Sequence, residues 1–180
     1  DDDSTVVYAE DITPRTDYDV IFGTETKLVA RVGAAGRTVL ASTKGASNLL
    51  WSPDGLRYAF SRDGKLWAGT VTDTAPRQLA GATAAQKADT SKAGKAQAGR
   101  ERFTPVRWSG DGRELIATNT DGLWIFDSQD TTRSMFLAAP DTGQGPRYTV
   151  VGWSVDRQSV RLAVASRARW ERGFATFDRR

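Results

Sequence analysis

Three short stretches hold the residue types from which a hydrolytic site could be built: LLWSPDG at 49–55, VRWSGDG at 106–112 and VGWSVDR at 151–157. Each sets a Ser two residues ahead of an Asp, giving Ser52 and Asp54, Ser109 and Asp111, Ser154 and Asp156. Ser acts as a nucleophile when a neighbouring base takes its proton, most often the His of a Ser-His-Asp triad. The sequence contains no His and no Cys, which removes that base, the commonest metal ligand and all thiol chemistry. GWSVD at 152–156 comes nearest to a GxSxG nucleophile elbow but lacks its final Gly. The three carboxylates could be read as an acid–base or metal-binding set of the kind glycosidases use. Their identical place in successive copies instead assigns each to its own turn, and no DxDxDG calcium loop occurs. The residues therefore point to no catalytic group, no metal site and no cofactor.

What the copies share is a structural tag. Trp51, Trp108 and Trp153 anchor it, with Leu49, Val106 and Val151 two residues earlier. Gly55 and Gly112 follow the Asp in two copies, and Arg157 takes that place in the third. An Asp can bond nearby backbone amides, and Gly adopts the positive φ of a tight turn at little cost. The Trp supplies a large apolar body to pack between sheets and an indole N–H that needs an acceptor. Trp51, Asp54, Gly55, Trp108, Asp111, Gly112, Trp153 and Asp156 are thus expected to be framework.

Alternating runs follow each tag: LRYAFS at 56–61, ELIATN at 114–119 and SVRLAV at 159–164. Such alternation predicts strands. A second run follows a Gly-containing turn, KLWAGTV at 65–71 and GLWIFDS at 122–128, with GFATFD at 173–178 as its counterpart. Short runs RQLA and RSMFLA close the first two units. KLVARV at 27–32 and TVLA at 38–41 read as a worn copy of the same unit, preceded by a strand in STVVYAE at 4–10. A repeat of about 35 to 50 residues with four strands each is the period of a propeller blade. The expected fold is all-β, a partial β-propeller of about four four-stranded, WD-like blades with the first and last incomplete. The units are placed at about 1–45, 46–80, 103–140 and 146–180. Two different blades then lack a strand, so an open arc with uncovered edges and end faces is favoured over a closed four-bladed ring.

The net charge of +3 lies within 81–102, GATAAQKADTSKAGKAQAGRER, and the rest of the chain is balanced. That segment has no large apolar or aromatic side chain, reads as a flexible low-complexity insert, and carries none of the stacking residues of a nucleic-acid surface. A 39% hydrophobic, 26% charged composition without a long apolar stretch predicts a soluble protein that does not enter a membrane. The chain opens on Asp, so a processed or longer parent is expected. The compartment stays open between bacterial cytoplasm and periplasm or secretion. Outside the repeat tags, Arg169, Trp170, Glu171 and Arg172 combine an aromatic with three charges at an expected hairpin. They are the candidate contact with a peptide or a neighbouring domain, against a plain surface turn.

WSPDGLRYAFSRDGKLW at 51–67 resembles the blade repeat of TolB and of the propellers of the prolyl oligopeptidase family, and RWERGFATFDRR at 169–180 resembles blades of the latter. The second resemblance implies a propeller segment of a serine peptidase. There the propeller restricts access to, and docks, an α/β-hydrolase domain that bears the Ser, Asp and His. Remaining blades and that hydrolase domain would be partners within the same polypeptide, with peptide as substrate. The dipeptidyl branch of that family holds a substrate amino terminus with paired Glu residues, a pattern that the single Glu171 does not match. The first resemblance implies the alternative, a TolB-like module for protein–protein interaction with no reaction of its own. A free-standing four-bladed lectin or glycosidase is a third reading, disfavoured by the absence of a carboxylate pair outside the repeats.

Overall fold

In a computed structural model, the described residues are 5–12, 26–32, 35–73, 75–81, 101–131, 134–138, 146–166 and 170–178. Every regular element among them is a strand. A first sheet has the order β1 (Thr5–Asp11), β2 (Thr26–Val32), β3 (Ala35–Leu40). A second contains β4 (Ala46–Trp51), β5 (Arg57–Arg62), β6 (Lys65–Thr70) and β7 (Arg77–Ala80). The third is β8 (Thr104–Trp108), β9 (Glu114–Asn119), β10 (Gly122–Asp127) and β11 (Ser134–Ala138). The fourth is β12 (Pro146–Trp153), β13 (Ser159–Ser166) and β14 (Glu171–Asp178). Each sheet is an antiparallel meander in chain order. Most of the low-complexity insert, residues 82–100, lies outside the described residues, as does Arg169.

Strand alternation sorts each sheet into two faces, and the apolar faces of successive sheets meet. Between the first and second, Leu28, Ala30, Val39 and Leu40 pack on Tyr58, Phe60 and Val71. Tyr58, Phe60 and Trp67 form a run of rings there, with Phe60 stacked on Tyr58 at 6.2 Å and on Trp67 at 6.5 Å between centroids. Between the second and third, Ala59, Leu66, Ala68 and Leu79 meet Trp108, Leu115, Ala117 and Phe126. Between the third and fourth, Ile116, Leu123, Ile125 and Leu137 meet Val160 and Leu162. The alternating residues of β5 and β9 thus serve two different cores, one on each face, while β13 gives Val160 and Leu162 to one. The tag strand β8 lies against β4 and β5 on one side and β12 on the other, so the first strands of the last three sheets converge along one line.

The apolar residue two before each tag Trp falls at an irregularity that strand periodicity does not reveal. The pairing of β4 with β5 slips between Ser47 and Leu50, that of β8 with β9 between Pro105 and Arg107, and that of β12 with β13 between Val150 and Gly152. Leu49, Val106 and Val151 are the bulged residues. A bulge adds local twist and re-aims its side chain: Leu49 and Val151 are exposed, whereas Val106 packs against the core between the third and fourth sheets.

Candidate functional site

The tag turns lie at one end of the sheets, each between the first and second strands of its sheet. Their hydrogen bonds repeat atom for atom. Ser52 Oγ donates to Asp54 Oδ1 at 2.5 Å, Ser109 Oγ to Asp111 Oδ1 at 2.6 Å and Ser154 Oγ to Asp156 Oδ1 at 2.6 Å. The same hydroxyls accept the amides of Arg57, Glu114 and Ser159 at 2.9, 2.9 and 3.0 Å. Each Asp Oδ1 also accepts the amide two residues on, from Leu56, Arg113 and Gln158. The residue after the Asp is left-handed in all three, with φ of 70° at Gly55, 66° at Gly112 and 59° at Arg157. The third copy therefore holds the same turn without glycine, in a conformation that L-residues enter at a cost. Trp108, buried, donates its indole N–H to the Leu50 carbonyl of the preceding sheet at 3.1 Å.

Two arginines bind consecutive turns to each other. Arg57 Nη1 donates to Asp54 Oδ2 at 2.9 Å and to the Asp111 carbonyl at 3.3 Å. The Arg157 guanidinium in turn pairs with Asp111 Oδ2. A continuous line of charge-assisted bonds thus runs across the tag ends of the second, third and fourth sheets. The signal for it in the sequence is the replacement of the tag Gly by Arg157, a substitution with no advantage to the turn itself. A further pair, Arg113 with Asp127 at 3.2 Å, fixes the end of β10.

These carboxyls are poor candidates for a base. Burial opposes the ionisation of Asp54, but the Ser52 hydroxyl, the Leu56 amide and Arg57 outweigh it and lower its pKa below 3.8. At Asp111, burial is likewise outweighed by Ser109, the Arg113 amide and Arg157. Asp156 is lowered by the Ser154 hydroxyl and the Gln158 amide. A carboxylate stabilised as the anion has little appetite for a proton, and each Ser hydroxyl is held by such a group with no imidazole between. Among the described residues, no cluster of His, Cys, Asp or Glu could hold a metal ion, and no helix is long and apolar enough to cross a membrane.

The second candidate site lies at the opposite end of the fourth sheet. Trp170 occupies the turn between β13 and β14 with a φ of 55° and is 94% exposed. Glu171 and Arg172 are already strand residues, paired with Ser166 and Ala165. They therefore face opposite sides of the sheet. Arg172 belongs to the face turned away from the third sheet. There the rows Arg147, Ala165, Arg172 and Thr149, Ala163, Phe174 stand side by side and line a shallow depression of about 300 Å³.

No protein-family model matches the chain, and a comparison with curated proteins finds no match. Solved structures do. The β-propeller domain of the Trilobed protease from Pyrococcus furiosus, described as having an open velcro topology, superposes with a TM-score of 0.52 at 15% identity, covering 98% of this chain and 51% of that one. TolB from Acinetobacter baumannii gives 0.45 at 12% identity over 85% of this chain and 38% of its own. Pyrococcus horikoshii acylaminoacyl peptidase gives 0.37 at 15% identity over 97% and 23%. The chain spans about half the length of the first of these and less of the others. At such identities the likeness concerns fold. Together with four antiparallel meanders stacked face to face, the likeness to the Pyrococcus furiosus propeller domain shows that the chain is a partial β-propeller.

Proposed function

We propose that this chain is a non-catalytic propeller segment that restricts substrate access to, and docks, an α/β-hydrolase domain of a prolyl oligopeptidase-like serine peptidase. The observation that carries the non-catalytic part is the threefold hydrogen-bonding of the tags, in which every Ser hydroxyl and Asp Oδ1 serves its own turn. The peptidase part is supported by the resemblance of the blade repeat and by the fold shared with a protease's propeller domain. In this reading Trp170, Glu171 and Arg172, with Arg169, form part of the surface that meets a peptide or a neighbouring domain, and the tag residues are framework.

The test has two arms. The coding sequence beyond Arg180 is read for further blades and a GxSxG-bearing hydrolase domain, and the 180-residue chain is assayed with a fluorogenic peptide. The expected result is an encoded hydrolase domain and no turnover by the chain alone. A coding sequence that ends without a hydrolase removes the peptidase reading and leaves the TolB-like interaction module. Turnover abolished by Ser154→Ala would overturn the framework reading altogether.

A further inference from the structure

A cleft of about 330 Å³ opens at the tag end of the seam between the second and third sheets. Arg57, Ala68, Thr70 and Arg77 form its wall on the second sheet, and Ser128 and Gln129, in the turn after β10, form its wall on the third. Both walls depart from the repeat. Shifting the second unit by the 57 residues that separate Trp51 from Trp108 superposes Ala68 on Ile125 and Val71 on Ser128. Ile125 is buried and fills the seam between the third and fourth sheets, and Val71 is buried in the seam between the first and second. The middle seam has the smaller residue on one wall and a hydroxyl on the other.

Among the described residues that hydroxyl has no partner. Ser128 is 8% exposed, and neither its Oγ nor the buried Arg57 Nε has a hydrogen-bond partner. Buried polar groups are rarely left so without a reason. Arg57, which lines the cleft, engages Asp54 through Nη1 and leaves Nε without a partner. The Arg77 guanidinium, two strands away on the same wall, donates to the Gln129 carbonyl at 3.3 Å and lies 3.9 Å from Asp73. Asp73, the one carboxylate in the lining, already accepts the Thr70 amide at 3.0 Å. Two guanidinium groups and a buried hydroxyl therefore line the space. The side of a guanidinium matches the planar, two-oxygen edge of a carboxylate. With Asp54 and Asp73 balancing part of the positive charge, a monoanion suits the cleft better than a dianionic phosphate.

We propose that this cleft binds a carboxylate, as carried by a peptide carboxyl terminus or an acidic side chain, with Arg57 Nε and Ser128 Oγ donating to it and Arg77 closing over it. The inference does not depend on the peptidase reading. It is tested by titrating the isotope-labelled chain at constant ionic strength while following backbone amide resonances. The probes are acetate, acetamide, inorganic phosphate, an N-acetylated tri-alanine with a free carboxylate, and an amidated peptide carrying one Glu. Acetate and at least one carboxylate peptide are expected to give saturable shifts at Gly69, Thr70, Ser128 and Gln129, with acetamide inert and phosphate weaker. Binding by the free-carboxylate peptide alone identifies a chain terminus as the ligand, and binding by the Glu peptide identifies a side chain. Ser128→Ala, which removes no protein hydrogen bond, should weaken acetate about tenfold, as should Arg77→Gln. Ala68→Ile, copying the neighbouring seam, should abolish binding. Acetate shifts that chloride reproduces, phosphate binding above acetate, or unchanged affinity in both Ser128→Ala and Arg77→Gln would each overturn the proposal.

Discussion

Ser109 and Ser154 make the same pair of bonds in different surroundings, and that difference sets a measurable expectation. Ser109 is fully buried, and its amide partner Glu114 is 8% exposed. Ser154 is half-buried, and its carboxylate partner Asp156 is exposed. Replacing Ser109 by Ala takes the hydroxyl from a buried N–H that water does not easily reach. Leaving such a donor unsatisfied costs about 1–3 kcal/mol. The bond to Asp111 adds less, because that carboxylate is 40% exposed in its side chain and retains Arg157. Ser109→Ala should therefore destabilise the chain by about 2–3 kcal/mol. Ser154→Ala loses bonds that solvent replaces and should cost under about 1 kcal/mol. With a urea slope of about 2 kcal/mol per molar, these correspond to losses of roughly 1 M and under roughly 0.5 M in the unfolding midpoint, followed by Trp fluorescence. Equal midpoint shifts in the two variants would refute the claim that burial, and not the tag's hydrogen-bond pattern, decides what each copy contributes.

The two tag glycines should also separate. Gly55 has a φ of 70° with open space around a Cβ, so Gly55→Ala should cost about 1–2 kcal/mol from backbone strain alone. At Gly112 a Cβ would also come within 3.0 Å of Arg57 Nη1 and Ser52 Cβ, so Gly112→Ala should lower the melting temperature further. Asp54, Asp111, Asp127 and Asp156 all titrate below 3.8 in the folded chain. The unfolded chain takes up protons first as pH falls, so the stability they contribute is complete above about 4 and is lost as pH drops through their native values; urea midpoints at pH 2 to 6 should show a plateau and then a decline. Tyr58 is pushed up to about 12 by burial, reinforced by Asp73. The unfolded chain then ionises first, so this contribution is present below about 10 and lost as pH rises toward 12. Tyrosinate absorbance of the native chain should show a late component, absent in Tyr58→Phe.

The repetition of WSxD was enough to read the architecture, because a large aromatic, a hydroxyl and a carboxylate at fixed spacing have one common use as a turn, and the alternation of Tyr58 and Phe60 or Leu115 and Ala117 could be followed into strands. The bulges at Leu49, Val106 and Val151 were not legible, since an extra residue in a strand leaves an apolar residue apolar and changes only where it points. Nor was the split of Glu171 from Arg172, which depends on β14 beginning at Glu171, one residue after the turn. The charge line through Arg57 and Arg157 is long-range and needs the stacking of sheets before it exists.

In an array of copies, the positions that agree must build the unit, because the unit is what the copies have in common. Function specific to one seam has to reside where they disagree. Most disagreements are trades within the frame: Arg113 and Asp127 form an ion pair where the preceding unit has Leu56 and Thr70, and Arg157 exchanges an easy backbone conformation for a bond to the preceding sheet's Asp111. Ala68 and Ser128 are different in kind. Both leave something undone, a volume unfilled and a buried hydroxyl unpaired, on facing walls of the same seam. Either alone would be a small packing defect of the sort that single substitutions produce. Two that meet across one cleft, beside two guanidinium groups, form a recess with the donors to hold an acceptor, and that places the chain's chemistry between the blades and outside its repeated serines.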